Sequence, residues 1–381
     1  MPKSYSNKPA SFTYYSNKKY IFLFESNKNL RGFNNMLLST KVGHKSLNFK
    51  LNGVFFLNYD YKKKQAKNST KNNNPLSFVR ASKFEIDESF AWTDTFPNEV
   101  KYLKDKISIK PTITKGQYLE KVKALKQHIQ DGDIYEINYC ITFEAHDVTI
   151  DPLDIYQKLN AISKAPYSAL AKFDKQYIIS SSPELFLSKK GNKLISKPIK
   201  GTARRGKTKE EDEQLKLSLR NSLKEQTENV MIVDVVRNDL SRIAKRGTVQ
   251  VEKLFDIETY EQVHQMVSTV SCELKDNVTF EEIIEATFPM ASMTGAPKIR
   301  AMELIDQYEL YNRGPYSGAL GYIDENGDFE LSVLIRSIFY DEEKQYLSFS
   351  VGSAITALCD PEEEYEECLL KAKAMMDVLS S

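Results

Sequence analysis

Histidine, tryptophan and cysteine are scarce in this sequence, with four, one and four copies in 381 residues. The cysteines, Cys140, Cys272, Cys359 and Cys368, show no CxxC spacing, so neither a zinc site nor a disulfide framework is indicated. No apolar run reaches the ~20 residues that span a bilayer, and no membrane contact is expected. The first thirty residues lack the apolar core of a secretory signal, so a cytoplasmic location is expected. The formal net charge is only +1, and no run of Lys and Arg builds a basic face, which leaves no electrostatic case for nucleic acid. The one Lys/Asn-rich stretch, residues 62–74, carries no interleaved aromatics and reads as a solvated excursion.

What is present is an ordinary globular composition, 41% apolar and 28% charged, in a chain long enough for two domains or one large sandwich. The first hundred residues alternate aromatic-rich strands, such as Tyr20-Ile-Phe-Leu-Phe and Gly53-Val-Phe-Phe-Leu, with polar turns. Thr114 then caps a helix with apolar positions Tyr118, Val122, Leu125 and Ile129, followed by a strand over 134–143 and a helix over 154–162. Two apolar runs, Tyr177-Ile-Ile and Leu194-Ile, read as paired strands joined by a turn at Gly191-Asn192. They carry an acid, Glu184, and an amine, Lys200. A single long helix is expected over 209–244, then a strand over 248–255 and a mixed stretch to His264. Short helices over 280–287 and 298–308 flank a small-residue loop. Strands over 318–323, 331–340 and 346–351 read as a meander before a last acidic helix from Pro361. No internal repeat is visible. Strands in both halves with helices inserted between hairpins indicate α+β rather than a doubly wound parallel sheet.

Several residues are candidates for chemistry. Glu225/Glu228 and Glu364/Glu367 place carboxylates three apart on two helices. Their ordinary role is a solvated face; the alternative is that the helices meet around a hard cation such as Mg²⁺. Asp234, Arg237, Asn238 and Asp239 put polar groups inside an apolar helix, where internal ion pairing is expected. His264 is either structural or a ligand contact. The turn Ala291-Ser-Met-Thr-Gly-Ala-Pro offers backbone N–H groups ahead of a helix. Lys200 is either a surface lysine or, if desolvated, a nucleophile.

Taken in order, the blocks Gly132-Asp-Ile-Tyr-Glu-Ile-Asn, Ser182-Pro-Glu, Pro198-Ile-Lys-Gly-Thr, Glu228-Asn-Val-Met-Ile-Val-Asp-Val-Val-Arg-Asn-Asp-Leu, His264, Thr294-Gly-Ala-Pro-Lys, Arg313-Gly-Pro-Tyr-Ser-Gly, Ile335-Arg336 and Asp360-Pro-Glu-Glu-Glu resemble the chorismate-utilising enzymes. That family contains anthranilate synthase component I, aminodeoxychorismate synthase component I, and the isochorismate and salicylate synthases. The resemblance implies two packed, largely antiparallel sheets with helices on the outside. It implies a strand-rich N-terminal part over 1–110, shortened here, and a chorismate-binding catalytic domain over 111–381.

Within the family, Lys in Pro-Ile-Lys-Gly-Thr is the aminodeoxychorismate synthase form, whereas anthranilate synthases usually have Ala. The resemblance implies that Lys200 attacks chorismate C2, that Glu184 protonates the departing C4 hydroxyl, and that ammonia then adds at C4. The product would be 4-amino-4-deoxychorismate, on the route to p-aminobenzoate and folate. It further implies Mg²⁺ held by Glu228 and Glu367, with Glu225 and Glu364 on its waters. His264 and Ser292 match ring-side positions. Thr202, Tyr316, Arg336, Gly352 and Ala354 match substrate-binding positions, and Arg336 suits a carboxylate. The chain carries no segment resembling a glutamine amidotransferase, so a separate glutaminase subunit or free ammonia would supply nitrogen. Three departures stand out. Gly352-Ser-Ala replaces Gly-x-Gly, and Thr202-Ala-Arg-Arg-Gly replaces Thr-Arg-Pro-Arg-Gly. Glu136 replaces Gln, at the position where isochorismate and salicylate synthases have a water-activating Lys. Anthranilate synthase component I is the alternative activity; an isochorismate or salicylate synthase, or a non-catalytic subunit, lies further off.

Overall fold

The computed structural model describes residues 10–16, 20–26, 36–42, 45–57, 59–60, 81–84 and 107–380, apart from 174, 261–262 and 325. The Lys/Asn-rich stretch lies outside these residues. Seven helices are described: α1 (Lys115–Gln130), α2 (Pro152–Ser163), α3 (Lys209–Asn221), α4 (Leu223–Ser241), α5 (Phe280–Thr287), α6 (Lys298–Tyr308) and α7 (Pro361–Ser380). The strands form one sheet of nine and one of ten, and the pairings are antiparallel. The expected α+β class with two packed antiparallel sheets is what forms. N-terminal strands enter both sheets: Ala10–Ser16 pairs with Tyr167–Phe173, and Lys45–Leu57 pairs with Ala319–Asp324.

Local sequence explains much of this. Thr114 and Gln117 form a reciprocal capping box at α1, satisfying two otherwise orphaned backbone donors. Tyr118, Val122 and Leu125 on α1 are buried against Ile137, Tyr139 and Ile141 of strand Glu136–Ala145, together with residues of α2, α6 and α7. Burying each such side chain is worth about 1.5–3 kcal/mol. The opposite face of that strand, carrying Glu136, Asn138 and Cys140, turns toward the second sheet; Cys140 belongs to the core shared with α4 and α5.

Four expectations change. Gly191, at a φ of 58°, does close a hairpin, but between Leu185–Lys190 and Lys193–Lys197. The run containing Tyr177 belongs to strand Gln176–Ser182 in the other sheet, so the chain crosses between sheets at Pro183-Glu184. The acid and the amine are therefore not on two paired strands. The long helix is broken at Ser222, whose extended backbone and side-chain bond to Glu225 N cap α4. The expected strand over 331–340 is two strands, Phe329–Val333 and Ser337–Asp341, in different sheets, with Arg336 at a φ of 51° between them. Finally, Asp234 and Arg237 pair with each other at the surface rather than inside, while Asp239 pairs with the buried-stem Lys298.

Arg313 clamps the two site-bearing segments. Its guanidinium donates to Glu309 at 2.6 Å, to Met293 O at 2.5 Å and to Asn138 O at 2.7 Å, and lies over the Tyr59 ring. Replacing it with methionine removes the cation paired with the buried Glu309 carboxylate, at an expected cost of about 3–5 kcal/mol. Denaturant unfolding followed by circular dichroism measures this; a loss under about 1 kcal/mol would contradict it.

Candidate active site

Glu184 lies at the sheet-to-sheet crossover, between strands Gln176–Ser182 and Leu185–Lys190. Its backbone N–H is 3.3 Å from Ser182 Oγ, and its Oε1 accepts from Ser292 Oγ at 2.6 Å. Burial pushes its carboxyl up to about 7, against the opposing pull of Ser292, Lys200 and the Ile199 backbone N–H. A carboxyl raised this far can carry a proton near neutral pH. Ser292 is delivered by a loop built from small residues. There Gly295 pairs with Ile137 so closely that a Cβ would sit 2.2 Å from Glu136 O. Lys298 braces the loop by donating to Thr287 O at 3.1 Å and Pro289 O at 2.7 Å. The loop's Met293 and Thr294 N–H groups are spent on Met290 O and Ala291 O, so these two are not free for an anion.

Lys200 lies on strand Ile199–Arg204 and forms a direct ion pair with Glu136, the two side chains being 8% and 1% exposed. Burial pulls the Lys200 amine down, as expected for a desolvated cation. Glu136, Glu228 and Glu184 overcome this and hold the ammonium above the usual lysine range. Without a metal ion, the surrounding carboxylates outweigh desolvation. Gly201 behind it has a φ of 90°, and a Cβ there would meet Glu225 Oε2 at 2.8 Å, so only glycine lets α4 approach.

The carboxylates of α4 and α7 face this centre. Glu228 is 5% exposed, and its Oε1 has no hydrogen-bond partner among the described residues. Burial, reinforced by the like charges of Glu136 and Glu225, pushes its carboxyl up to about 8. Glu225 is raised by burial and by Glu367. Glu364 accepts from Lys224 at 2.8 Å, and Glu367 from Lys371 at 2.5 Å. Among the described residues, no three His, Cys, Asp or Glu side chains stand ready as a metal cage. The donor set is nevertheless hard oxygen with surplus negative charge and an orphaned buried carboxylate oxygen, which suits a hard divalent ion such as Mg²⁺.

The remaining expected residues fall into two groups. Gly352 and Ala354 lie on strand Tyr346–Thr356 opposite Cys140 and Asn138, beside the strand that carries Glu136. A Cβ at Gly352 would press within 2.7 Å of Asn138 Oδ1, so the glycine permits that approach. Arg336 is half-buried, feels Tyr316 and Glu367, and makes no ion pair among the described residues. An unpaired cation of this kind is suited to an anionic ligand. Tyr316 is buried. Thr202, by contrast, is exposed. His264 is buried, but its ring nitrogens are taken by Asp212 at 3.0 Å and Thr259 at 2.9 Å, and Arg205 holds the same Asp212. Its hydrogen bonds run to α3 and the neighbouring strand rather than to Lys200 or Glu184.

Sequence reasoning missed Lys371, which also donates to Gly352 O at 2.8 Å, and Lys224. The first lies one helical turn after Glu367, a spacing that signals an i,i+4 pair; the second had no local signal.

This combination of blocks is a family trait. The sequence profile of the chorismate binding enzymes matches residues 11–377. The chain belongs to the chorismate binding enzyme family. It is similar to the chloroplastic aminodeoxychorismate synthase of Arabidopsis thaliana, 43% identical over 276 residues, 71% of this chain and 30% of that protein. Aminodeoxychorismate synthase component 1 of Bacillus subtilis is 38% identical over 70% of this chain and 56% of its own length. Anthranilate synthase component 1 of Acetivibrio thermocellus is 38% identical over 72% of this chain and 55% of its own. The chain thus spans about a third to just over half of these relatives. The crystal structure of anthranilate synthase component I from Streptococcus pneumoniae shares the fold, with a TM-score of 0.76 at 24% identity, covering 99% of this chain and 94% of that one. Among the described residues no helix is long and apolar enough to cross a membrane.

Proposed function

We propose that the chain is an aminodeoxychorismate synthase component I, converting chorismate and ammonia to 4-amino-4-deoxychorismate. The observation that carries this reading is the buried Lys200, enclosed with the buried acid Glu184, whose carboxyl burial pushes up. Lys200 supplies the nucleophile that bonds to C2. Glu184, oriented by Ser292, delivers a proton to the C4 oxygen, because hydroxide is too poor a leaving group without one. Ammonia bonds to C4 and the lysine departs. Arg336 and the backbone at Gly352 offer a cradle for a substrate carboxylate. Several curated aminodeoxychorismate synthases among the similar proteins support the choice. The anthranilate synthase relative keeps chorismate-to-anthranilate conversion as the second reading. Incubation with chorismate, Mg²⁺ and ammonium separates the two. Aminodeoxychorismate should accumulate and give p-aminobenzoate only after a lyase is added; fluorescent anthranilate forming directly would refute the assignment. A separate glutaminase subunit is proposed as the source of ammonia in the cell.

Mg²⁺ is proposed at Glu228 and Glu367, with Glu225 and Glu364 around it. When bound, it would offset the clustered negative charge and attract a substrate carboxylate. Glu228→Gln tests the assignment in two ways. Because Glu228 is raised in the folded state, it favours folding fully at pH values below its unfolded value, and that contribution is lost as pH rises through about 8. The metal-free variant should therefore melt above the wild type at alkaline pH while losing Mg²⁺-dependent turnover. Retained turnover would remove Glu228 from the metal site.

A further inference from the structure

We propose that Glu136 is the base that takes the Lys200 proton, so that the nucleophilic amine forms inside the closed site. The inference rests on the reading of Lys200 as nucleophile. Glu136 touches the reacting nitrogen directly, and both side chains are withdrawn from solvent. No other carboxylate is bonded to that nitrogen among the described residues. Its second oxygen, Oε2, is buried without a hydrogen-bond partner among the described residues, leaving the carboxyl free to turn and keep the proton. Its position is fixed rather than accidental. Strand Glu136–Ala145 is held by pairing with Gly295-Ala296 on one side and by Tyr346–Thr356 on the other, and Arg313 grips the neighbouring Asn138 carbonyl.

Burial makes an internal base necessary. Lys200 is faced by Glu136 from the first sheet, Glu184 from the crossover and Glu228 from α4, and it also interacts with Glu225 of α4 and Glu367 of α7. A buried amine has poor access to water as a proton acceptor, and Glu136 is the carboxylate in direct contact with it among the described residues. Transfer to Glu136 converts an ion pair into a neutral pair without moving charge across the site. The Nζ lone pair then bonds to C2, both ring double bonds shift along C1, C6 and C5 toward C4, and the C4–O bond breaks, its electron pair taking the Glu184 proton to leave as water. Ammonia bonds to C4, both double bonds return, and the C2–N electron pair reverts to Lys200, which recovers its proton from Glu136. Ammonium, the source of the ammonia, restores the proton on Glu184. The same pairing explains why a carboxylate suits a lysine-dependent site where glutamine, which cannot accept a proton at neutral pH, would not do this work.

The test omits ammonia, so that the reaction stops at the Lys200 adduct. Wild-type protein with chorismate and Mg²⁺ should gain the mass of chorismate less one water, mapped to Lys200 by peptide mass spectrometry. Its rate of formation should change little on the acidic side of neutrality. In Glu136→Gln that rate should fall roughly 10²-fold at neutral pH and climb with pH, because solvent must now take the proton. Glu136→Asp keeps a carboxylate and should keep the flat profile even at a reduced rate; it also decides the matter if the glutamine variant does not fold. Adduct formation in Glu136→Gln at the wild-type rate and profile, or a climbing profile in Glu136→Asp, would overturn the role of Glu136 and leave Lys200 in place. If the wild type forms no adduct, or Lys200→Ala forms the same one, the nucleophile reading itself falls.

Discussion

Lys200→Ala is expected to abolish amination almost entirely, by roughly 10³-fold or more in kcat, because in the proposed reaction it removes the atom that bonds to C2 and not merely a contact. Among the described residues, the same change deletes the cation paired with Glu136 and leaves Glu136 and Glu228 as uncompensated like charges in a buried site. Loss of activity must therefore be separated from loss of fold. Circular dichroism and chorismate binding by calorimetry should show a folded protein that still binds substrate while steady-state product formation, read after coupling to a lyase, is gone. Product formation within about tenfold of the wild type would mean that ammonia reaches C4 without a covalent intermediate, since a nucleophile that matters is worth more than that.

Glu184→Gln is expected to lower kcat about 10²–10⁴-fold with little change in substrate affinity, the usual loss when a positioned acid is removed. The amide preserves shape and can still meet Ser292, but it cannot deliver a proton to the leaving oxygen. The pH profile carries the sharper signature. Because burial pushes the Glu184 carboxyl up to about 7, the proton donor is present below that pH and is lost as pH rises through it. Wild-type kcat/KM should fall on the alkaline side of neutrality. Ser292→Ala removes a bond that favours the ionised form, so the alkaline fall should move to higher pH. A profile that is flat through neutrality in the wild type would take Glu184 out of the acid's role.

Local signals in the chain are read accurately where one short stretch contains the whole cause. The capping box at Thr114, the helix Phe280–Thr287 and the turn at Gly191 each depend on a few neighbouring residues, and each forms as expected. Errors arise where the cause is distant. Two β-runs, at Tyr177 and at Leu331, look continuous because apolar alternation says nothing about which sheet a strand joins. The chain changes sheets at Glu184 and again at Arg336, and both residues with candidate roles stand at those crossings. Ser222 breaks the long helical pattern because a serine cap competes with continuation, a balance that periodicity alone does not weigh.

The amino-acid sequence by itself determined the family and the α+β class, and it named the candidate acid, the candidate amine and the two carboxylate-bearing helices, because these reside in residue types and their order. Only the tertiary structure decided which charges meet. Glu136 and Lys200 are separated by 64 positions, and Glu184 and Ser292 by 108, so no local pattern links either pair. Burial then decides protonation: the acid is raised to where it can donate, and the amine is held charged by carboxylates gathered from the first sheet, the crossover, α4 and α7. A sequence specifies which groups can titrate, but the dielectric and the neighbours that set their protonation exist only once the sheets have closed over them.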